Sequence, residues 1–183
     1  MTEPIRLHIG CGTNILPGWV NIDREARALG VVTGIDPAAL PYGDASVEQV
    51  LSEHVFEHFS AEEERLVWTE MARVLRPGGR LTIEVPDFTW MCQTFLAAND
   101  EWREFYRVGP ADHYAGHGRA LDQRWGILQT MFFGNQNGPG QFHRSGYTEG
   151  KLRALCVYLG FQSVTIETMF NKGGQALRAG FIR

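Results

Sequence analysis

Short apolar runs that end in turn residues dominate the first half of the chain. The runs IRLHI, WVNID and VVTGID come first, and VEQVLS and LTIEVP follow with a helical pattern between them. Runs of about four to eight such residues bounded by turn residues are typical of buried strands. Strands that alternate with helix or loop in this order predict a mostly parallel sheet in an α/β fold.

Capping residues mark the helices that the pattern predicts. Ser60 with Glu63 forms a capping-box pattern, which predicts the start of a helix. The expected buried positions of this helix are Leu66, Met71, Val74 and Leu75. Pro77-Gly78-Gly79 is expected to end it, and Asp87 is a candidate N-cap for the next helix.

The second half of the chain changes composition before a regular pattern resumes. Glycines, three histidines and aromatic residues are frequent from 109 to 146, and we interpret residues 99–147 as an insertion that covers the sheet. A helical pattern over 148–159 follows, and then the strands FQSVTIE and QALRAGFIR with turn residues at 171–174 between them. We therefore predict one domain over residues 1–183, ending in a hairpin.

Composition and charge narrow the classes of function. The 183 residues are 44% apolar, which is enough to bury one core. The formal net charge is −4 and the 17 basic residues are scattered, so we expect no nucleic-acid partner. No apolar run is long enough to span a membrane, and the N-terminal residues lack the apolar stretch of a signal peptide, so we expect a cytoplasmic protein that binds no membrane. Three widely separated cysteines predict free thiols.

Candidate ligand-binding residues follow the first three predicted strands. In an open α/β sheet, ligands bind where the carboxyl ends of the strands converge. Gly10 and Gly12 in HIGCGTN leave room beside the backbone, and we expect backbone amides there to be free for a carboxylate or phosphate. Asp23 can accept both hydroxyls of a ribose. Asp36 can accept from an adenine amino group while Leu40 packs on the ring.

Four segments in this order resemble successive motifs of class I S-adenosylmethionine (SAM) dependent methyltransferases. They are LHIGCGTNILPGWVNID, GIDPAALPYGDASVEQV, SEHVFEHF and RVLRPGGRLTIEVPD, and the later segment YTEGKLRALCVYLGFQSVTIE is similar to the family's last helix and sixth strand. The resemblance implies an α/β, Rossmann-like, seven-stranded, mostly parallel sheet with an antiparallel last strand. It implies helices on both faces and a helical or loop insertion after strand 5. It also implies SAM as methyl donor and S-adenosylhomocysteine as product.

The resemblance also implies which residues bind the cofactor. Gly10 and Gly12 correspond to positions under the methionine part of SAM, and Asp23 to the residue on its ribose. Asp36 and Leu40 correspond to positions at the adenine. The full expected cofactor-binding set is Gly10, Cys11, Gly12, Asp23, Asp36, Leu40 and Glu53.

The sequence departs from the family's pattern in the first motif. His8 and Ile9 stand where an acidic residue is usual. Only about ten residues separate the first two strands, which is near the lower limit for a parallel crossover. We therefore predict that the usual first helix is short or replaced by a loop.

The segment EHVFEH, residues 53–58, contains the H-x-x-E-H pattern of one class of zinc peptidases. On a helix, His54 and His58 would lie one turn apart, where two imidazoles can share a metal. A zinc site would also need a third ligand and a long helix, whereas residues 43–60 have room for little more than a strand and one turn. We therefore expect no metal, but a zinc hydrolase using His54, Glu57 and His58 stays an alternative.

Two other functions compete with methyl transfer. A SAM-binding module without transfer activity is an alternative, which the missing acidic residue before Gly10 favours. An NAD-dependent dehydrogenase with the same sheet is disfavoured, because the first turn lacks the G-x-G-x-x-G pattern.

Methyl transfer needs few catalytic groups. It is an in-line displacement at an activated sulfonium, so the protein supplies alignment, and a base only where the acceptor must lose a proton. A histidine titrates near neutrality and suits that role, and the candidates are His54, His113, His117 and His143. The competing interpretation is that His54 and Glu57 only hold the turn by hydrogen bonds to backbone. We predict a methyltransferase for a small polar acceptor, by analogy a sugar or natural product, acting as a monomer or homodimer.

Overall fold

The computed structural model describes residues 3–25, 28–98, 131–134, 139–171 and 174–183. The strands are β1 (Ile5–Ile9), β2 (Val20–Ile22), β3 (Val31–Val32), β4 (Val47–Glu53), β5 (Leu75–Pro86), β6 (Ser163–Asn171) and β7 (Gly174–Ile182). The helices in these ranges are α1 (Ala61–Val74), α2 (Phe88–Ala97) and α3 (Glu149–Tyr158), with short 3-10 turns at Phe56–His58 and Pro139–Gln141.

The seven strands form one sheet in the order β3-β2-β1-β4-β5-β7-β6. The pairs from β3 to β5 are parallel, and β7 runs antiparallel to both β5 and β6. This confirms the predicted fold class. The strand order reverses between β1 and β4, and the carboxyl ends of these two strands therefore border the crevice where such sheets bind ligands.

The crossover from β1 to β2 is a loop, which confirms the prediction for this connection. Asn21 on β2 is buried and holds the loop through its side chain. Its Oδ1 accepts from the Leu16 N–H at 2.9 Å, and its Nδ2 donates to the carbonyls of Leu16 and Trp19, each at 3.1 Å. One buried amide thus satisfies backbone groups that would otherwise need a helix or water.

The capping box of α1 is confirmed. The Glu63 N–H donates to Ser60 Oγ, and the Ser60 N–H donates to the Glu63 side chain. The helix ends at Val74, and β5 begins at the next residue, so the expectation that Pro77-Gly78-Gly79 ends the helix is wrong. Those residues lie inside β5, where a Cβ on Gly79 would come within 2.8 Å of the Arg76 carbonyl oxygen.

The buried face of α1 differs in part from the expected one. Met71 and Val74 are buried, whereas Leu66 is 41% exposed. Trp68 takes the central place, because its ring packs between those of Phe56 and Phe181 with centroids 5.0 and 5.2 Å away. The helix is thus rotated so that an aromatic residue, which offers more surface to bury, faces the sheet.

A polar network attaches the segment before α3 to α1. The buried Tyr147 hydroxyl donates to Glu64 Oε1 at 2.8 Å, and Lys151 Nζ lies 2.7 Å from the same oxygen. Ser145 Oγ donates to Glu64 Oε2 at 2.7 Å. These contacts hold Ser145, Tyr147 and Lys151 against the first turns of α1. Most of the predicted insertion, residues 99–147, lies outside the described residues, and its covering role stays a prediction.

Within the described ranges, none of the helices has the length and apolar character needed to cross a membrane.

Candidate active site

The turn after β1 lies where the strand order reverses. Gly10 has φ +71°, and a Cβ there would overlap the side chain of Val55, in the loop after β4. Gly12 has φ +53°, and a Cβ there would meet nothing within 4 Å. Gly10 is therefore needed for close packing of two loops, whereas Gly12 borders open space.

The amides of this turn already have partners. The N–H groups of Gly10 and Cys11 donate to the Ile22 carbonyl at 2.8 and 3.1 Å. The Gly12 N–H donates to Asp23 Oδ2 at 2.8 Å. The expectation that these amides are free for a ligand carboxylate or phosphate is therefore wrong. They hold the turn against the end of β2 instead.

Asp23 is held in place from two sides. Its Oδ2 accepts from Gly12, and its Oδ1 accepts from the Glu25 N–H at 2.8 Å. A carboxylate oxygen has two lone pairs and can accept more than one hydrogen bond. The Cys11 thiol lies beneath the turn, where burial, followed by the negative charge of Asp23, raises its pKa. The arrangement offers a fixed pair of acceptors at the end of β2.

The segment after β3 is anchored to α1. Asp36 is exposed, and its Oδ1 accepts from the Ala38 N–H at 2.9 Å. Leu40 is 5% exposed and packs in the core, and its N–H donates to Glu70 Oε1 at 2.7 Å. Leu40 thus has little surface left for a ligand ring. Sequence reasoning did not identify Glu70, because an acid on a helix is ordinarily solvated.

A row of charged side chains crosses the sheet near the carboxyl ends of β4 and β5 and at the middle of β7. The register pairs Glu53 with Glu84, and Glu84 with Arg178, so the three side chains share one face. Arg178 Nη1 lies 3.5 Å from Glu53 Oε1 and 3.5 Å from Glu84 Oε2. Sequence reasoning missed Glu84 and Arg178. The available signal was an acidic residue inside the apolar run LTIEVP.

His54 follows this row in an unusual conformation. Its φ of +56° is in the left-handed region, which is uncommon for a residue other than glycine and is found often at functional sites. Its Nε2 lies 3.0 Å from Glu84 Oε1, and its Nδ1 lies 3.4 Å from Glu57 Oε1. Both ring nitrogens therefore face carboxylates, rather than the backbone groups of the competing interpretation.

Glu57 is buried at the centre of the turn after β4. Although burial raises the pKa of its carboxyl, the hydrogen bond from His54 and the nearby imidazoles of His58 and His143 lower it below the usual value. Partial burial of His143 lowers the pKa of its imidazole, although the negative charge of Glu57 opposes this. The site thus holds an ionised carboxylate among imidazoles.

The structure brings together only part of the predicted histidine set. His54 and His143 both lie beside Glu57, whereas His113 and His117 lie outside the described residues. Phe56–His58 forms a single 3-10 turn, as the short segment predicted. His54 and His58 are therefore not on successive turns of one α-helix, and the helical arrangement of the zinc-peptidase pattern is not present here.

Comparison with known proteins finds a similarity to one family model and to several solved structures. Residues 7–83 match the family model described as a methyltransferase domain. No curated protein is significantly similar in sequence to this chain.

Solved structures of similar fold cover nearly the whole chain. A SAM-dependent methyltransferase from Archaeoglobus fulgidus has a TM-score of 0.61 at 15% identity, covering 98% of this chain and 86% of its own. The 1,6-didemethyltoxoflavin-N1-methyltransferase of Burkholderia thailandensis, solved with 1,6-didemethyltoxoflavin and S-adenosylhomocysteine, has a TM-score of 0.61 at 16% identity, covering 99% and 72%. A SAM-dependent methyltransferase from Methanosarcina mazei has a TM-score of 0.53 at 14% identity, covering 100% and 94%. The fold of these proteins is the fold described above.

Proposed function

We propose that this chain is a class I SAM-dependent methyltransferase that transfers the methyl group of SAM to a small polar acceptor. The match of residues 7–83 to a methyltransferase domain supports the proposal. The acceptor class in this proposal is sugar-like or natural-product-like. The single observation that carries the proposal is the Gly10–Gly12 turn with Asp23 at the point where the strand order reverses.

The residues of this turn fit SAM. The ribose of SAM has two hydroxyl groups, and the carboxylate of Asp23 presents two fixed acceptor oxygens at the end of β2. The open space beside Gly12 gives room for the methionine part. In this proposal the cofactor-binding residues are Gly10, Cys11, Gly12, Asp23, Asp36 and Glu53, and Leu40 contributes only the small part of its surface that is not buried.

The polar groups after β4 suit a polar acceptor. Bound SAM supplies an electrophilic methyl group, and the chain's own task is to orient the acceptor and take its proton where one must leave. Glu57 and Glu84 hold the His54 ring from both sides and fix its orientation. In this proposal His54 acts as a base only when one of these two contacts opens to the acceptor. The proposed base comes from the set His54, His113, His117 and His143.

The proposal extends to partners and location. A net charge of −4 supports a small molecule over nucleic acid as the acceptor. The three cysteines are free thiols, which supports a cytoplasmic location. The assembly in this proposal is a monomer or homodimer.

Calorimetric titration with SAM, S-adenosylhomocysteine and NAD tests the cofactor assignment. We expect micromolar binding of SAM and S-adenosylhomocysteine and none of NAD. Asp23→Ala is expected to weaken SAM binding by about 10- to 100-fold, since hydrogen bonds to a charged group contribute about 1.5–3 kcal/mol. Glu149→Gln, which removes an exposed carboxylate on α3 that pairs with Arg153, is the matched control.

The titration has two informative outcomes. Selective loss of SAM affinity in Asp23→Ala, with an unchanged circular dichroism spectrum, supports the site and justifies a screen of hydroxyl and amine acceptors. Wild-type protein that binds neither SAM nor its product would refute the proposal. Binding without turnover across the screen would favour a SAM-binding module.

A further inference from the structure

Three side chains with metal-binding atoms meet beside the turn after β4. One ligand atom from each of Glu57, His58 and His143 lies within 4.8 Å of the other two. Zinc bonds to nitrogen and oxygen are about 2.0–2.2 Å long, so small side-chain rotations are enough to close this set around an ion. His143, from a distant part of the chain, thus lies beside Glu57 and His58 of the EHVFEH segment.

Each of the two imidazoles has a backbone carbonyl on one of its ring nitrogens. His58 Nδ1 lies 3.0 Å from the Phe142 carbonyl oxygen, and His143 Nδ1 lies 2.8 Å from that of Met131. Since a carbonyl only accepts, each Nδ1 carries a hydrogen, and Nε2 of each neutral ring keeps its lone pair. A backbone carbonyl on the second nitrogen is the usual support for a metal-bound histidine.

The carboxylate has an unused atom at the same place. Glu57 is 2% exposed, and its Oε2 is buried without a hydrogen-bond partner among the described residues. A buried carboxylate oxygen left unpaired is costly, and a cation is one of the partners that removes this cost. The unpaired Oε2 atom of Glu57 is therefore a second, independent observation that favours a bound cation at this place.

The backbone fixes the two segments against each other. The carbonyl of Glu57 accepts from the N–H groups of Arg144 and Ser145 at 2.7 and 3.1 Å. The rings of His58 and His143 lie edge to face with centroids 5.0 Å apart. The three donors are therefore positioned before any ion binds, which favours tight binding.

We propose that Glu57, His58 and His143 form a binding site for a divalent first-row transition metal ion, with zinc as the best match. Two imidazoles and one carboxylate are a recognised zinc donor set, and magnesium and calcium prefer oxygen donors alone. Three protein ligands leave a fourth position for water or another oxygen or nitrogen donor. His54 is not a ligand, because both of its ring nitrogens face carboxylates.

The test compares two variants, each of which replaces one histidine by glutamine. Purified protein stripped with EDTA is titrated with Zn²⁺ by calorimetry and with Co²⁺ by visible absorption, with Mg²⁺ as a comparison ion. We expect one ion per chain, with no Mg²⁺ binding in the same concentration range. His143→Gln removes a ligand, and His54→Gln removes the remaining member of the H-x-x-E-H pattern.

The expected effects of the two substitutions differ in size. His143→Gln should weaken Zn²⁺ binding more than about 100-fold, because even supporting groups around a metal contribute about 10- to 100-fold. His54→Gln should weaken it less than about tenfold, through a looser Glu57. His58→Gln gives a second ligand test if His143→Gln does not fold, as judged by circular dichroism.

Several results would overturn the site. The first is that the wild type binds neither Zn²⁺ nor Co²⁺ stoichiometrically. The second is that His143→Gln and His58→Gln bind Zn²⁺ as tightly as the wild type does. The third is that His54→Gln loses more Zn²⁺ affinity than His143→Gln does. Binding of SAM at Asp23 is measured separately, so failure of the metal site and failure of the proposed methyl transfer are distinguishable.

Discussion

Single residues decide how closely the loops at the carboxyl ends of β1 and β4 approach. Gly10 and Gly12 belong to the same turn and both have positive φ, but only Gly10 has a side chain in the place of its missing Cβ. Backbone strain is common to both positions, whereas steric overlap with Val55 concerns Gly10 alone. Comparing substitutions at the two glycines therefore separates the effect of side-chain packing on stability from the effect of backbone conformation.

Gly10→Ala is expected to destabilise the fold more than Gly12→Ala. The left-handed conformation costs about 1–2 kcal/mol in either variant, and overpacking against Val55 adds about 1–3 kcal/mol in Gly10→Ala. Urea unfolding of both variants measures the difference. The double variant Gly10→Ala, Val55→Ala should recover part of the added loss relative to Val55→Ala alone. Equal losses in the two glycine variants would contradict this explanation.

At the scale of elements, the start of α1 has a clear local cause. Ser60 and Glu63 close a reciprocal pair of hydrogen bonds, and the helix begins where the sequence pattern predicted. The end of α1 has no such local signal, because pairing of Leu75 with Val47 converts the chain to β5. Starts of helices are thus easier to predict than ends in this chain, since caps are local and strand pairing is not.

Ser60→Ala should reduce the free energy of unfolding by about 1 kcal/mol, within the range of about 0.5–2 kcal/mol for loss of an N-cap. Thr69→Ala on the same helix is the control. The Thr69 hydroxyl donates to the Arg65 carbonyl at 2.9 Å on the exposed face, and alanine has the higher helix propensity. Thr69→Ala should therefore leave stability unchanged or raise it. Chemical denaturation distinguishes the two variants, and similar losses in both would argue against the capping explanation.

At the scale of the whole molecule, one carboxylate connects α1 to the loop between β3 and β4. Glu70 accepts from the Leu40 N–H and from Arg73, whose guanidinium also reaches Asp44 at 2.6 Å. The hydrogen bond from Arg73, and to a smaller extent the one from Leu40 and the charge of Arg73, lower the pKa of Glu70 although burial opposes this. The ionised form is therefore preferred in the folded protein.

This preference predicts a loss of stability in acid. A carboxyl whose pKa is lower in the folded state contributes stability that is complete above its unfolded pKa, about 4.3, and is lost as the pH falls through the folded value. Glu70→Gln should therefore be less stable than wild type at pH 7, and the gap should shrink below about pH 4. Glu3→Gln, in the exposed N-terminal residues, is the control. Urea unfolding from pH 7 to pH 3 checks this, and a gap independent of pH would contradict it.

The sequence by itself determined the local features of this protein. Periodicity, capping residues and spacing act over a few residues. They predicted the order of the strands along the chain, the capping box, the glycine turn after β1 and the loop in place of a first helix. The candidate cofactor residue Asp23 also follows from its place at the end of a predicted strand. Each of these depends on neighbours in sequence.

Only the tertiary structure decided which distant groups meet. Sheet register aligned Glu84 with Arg178, and backbone hydrogen bonds from Arg144 and Ser145 brought His143 to Glu57. The tertiary structure also showed that the amides of the turn after β1 already have partners, which lie at the end of β2 and directly after it. The physical reason is that strand pairing and packing select contacts between segments far apart in sequence, and no local pattern encodes those contacts.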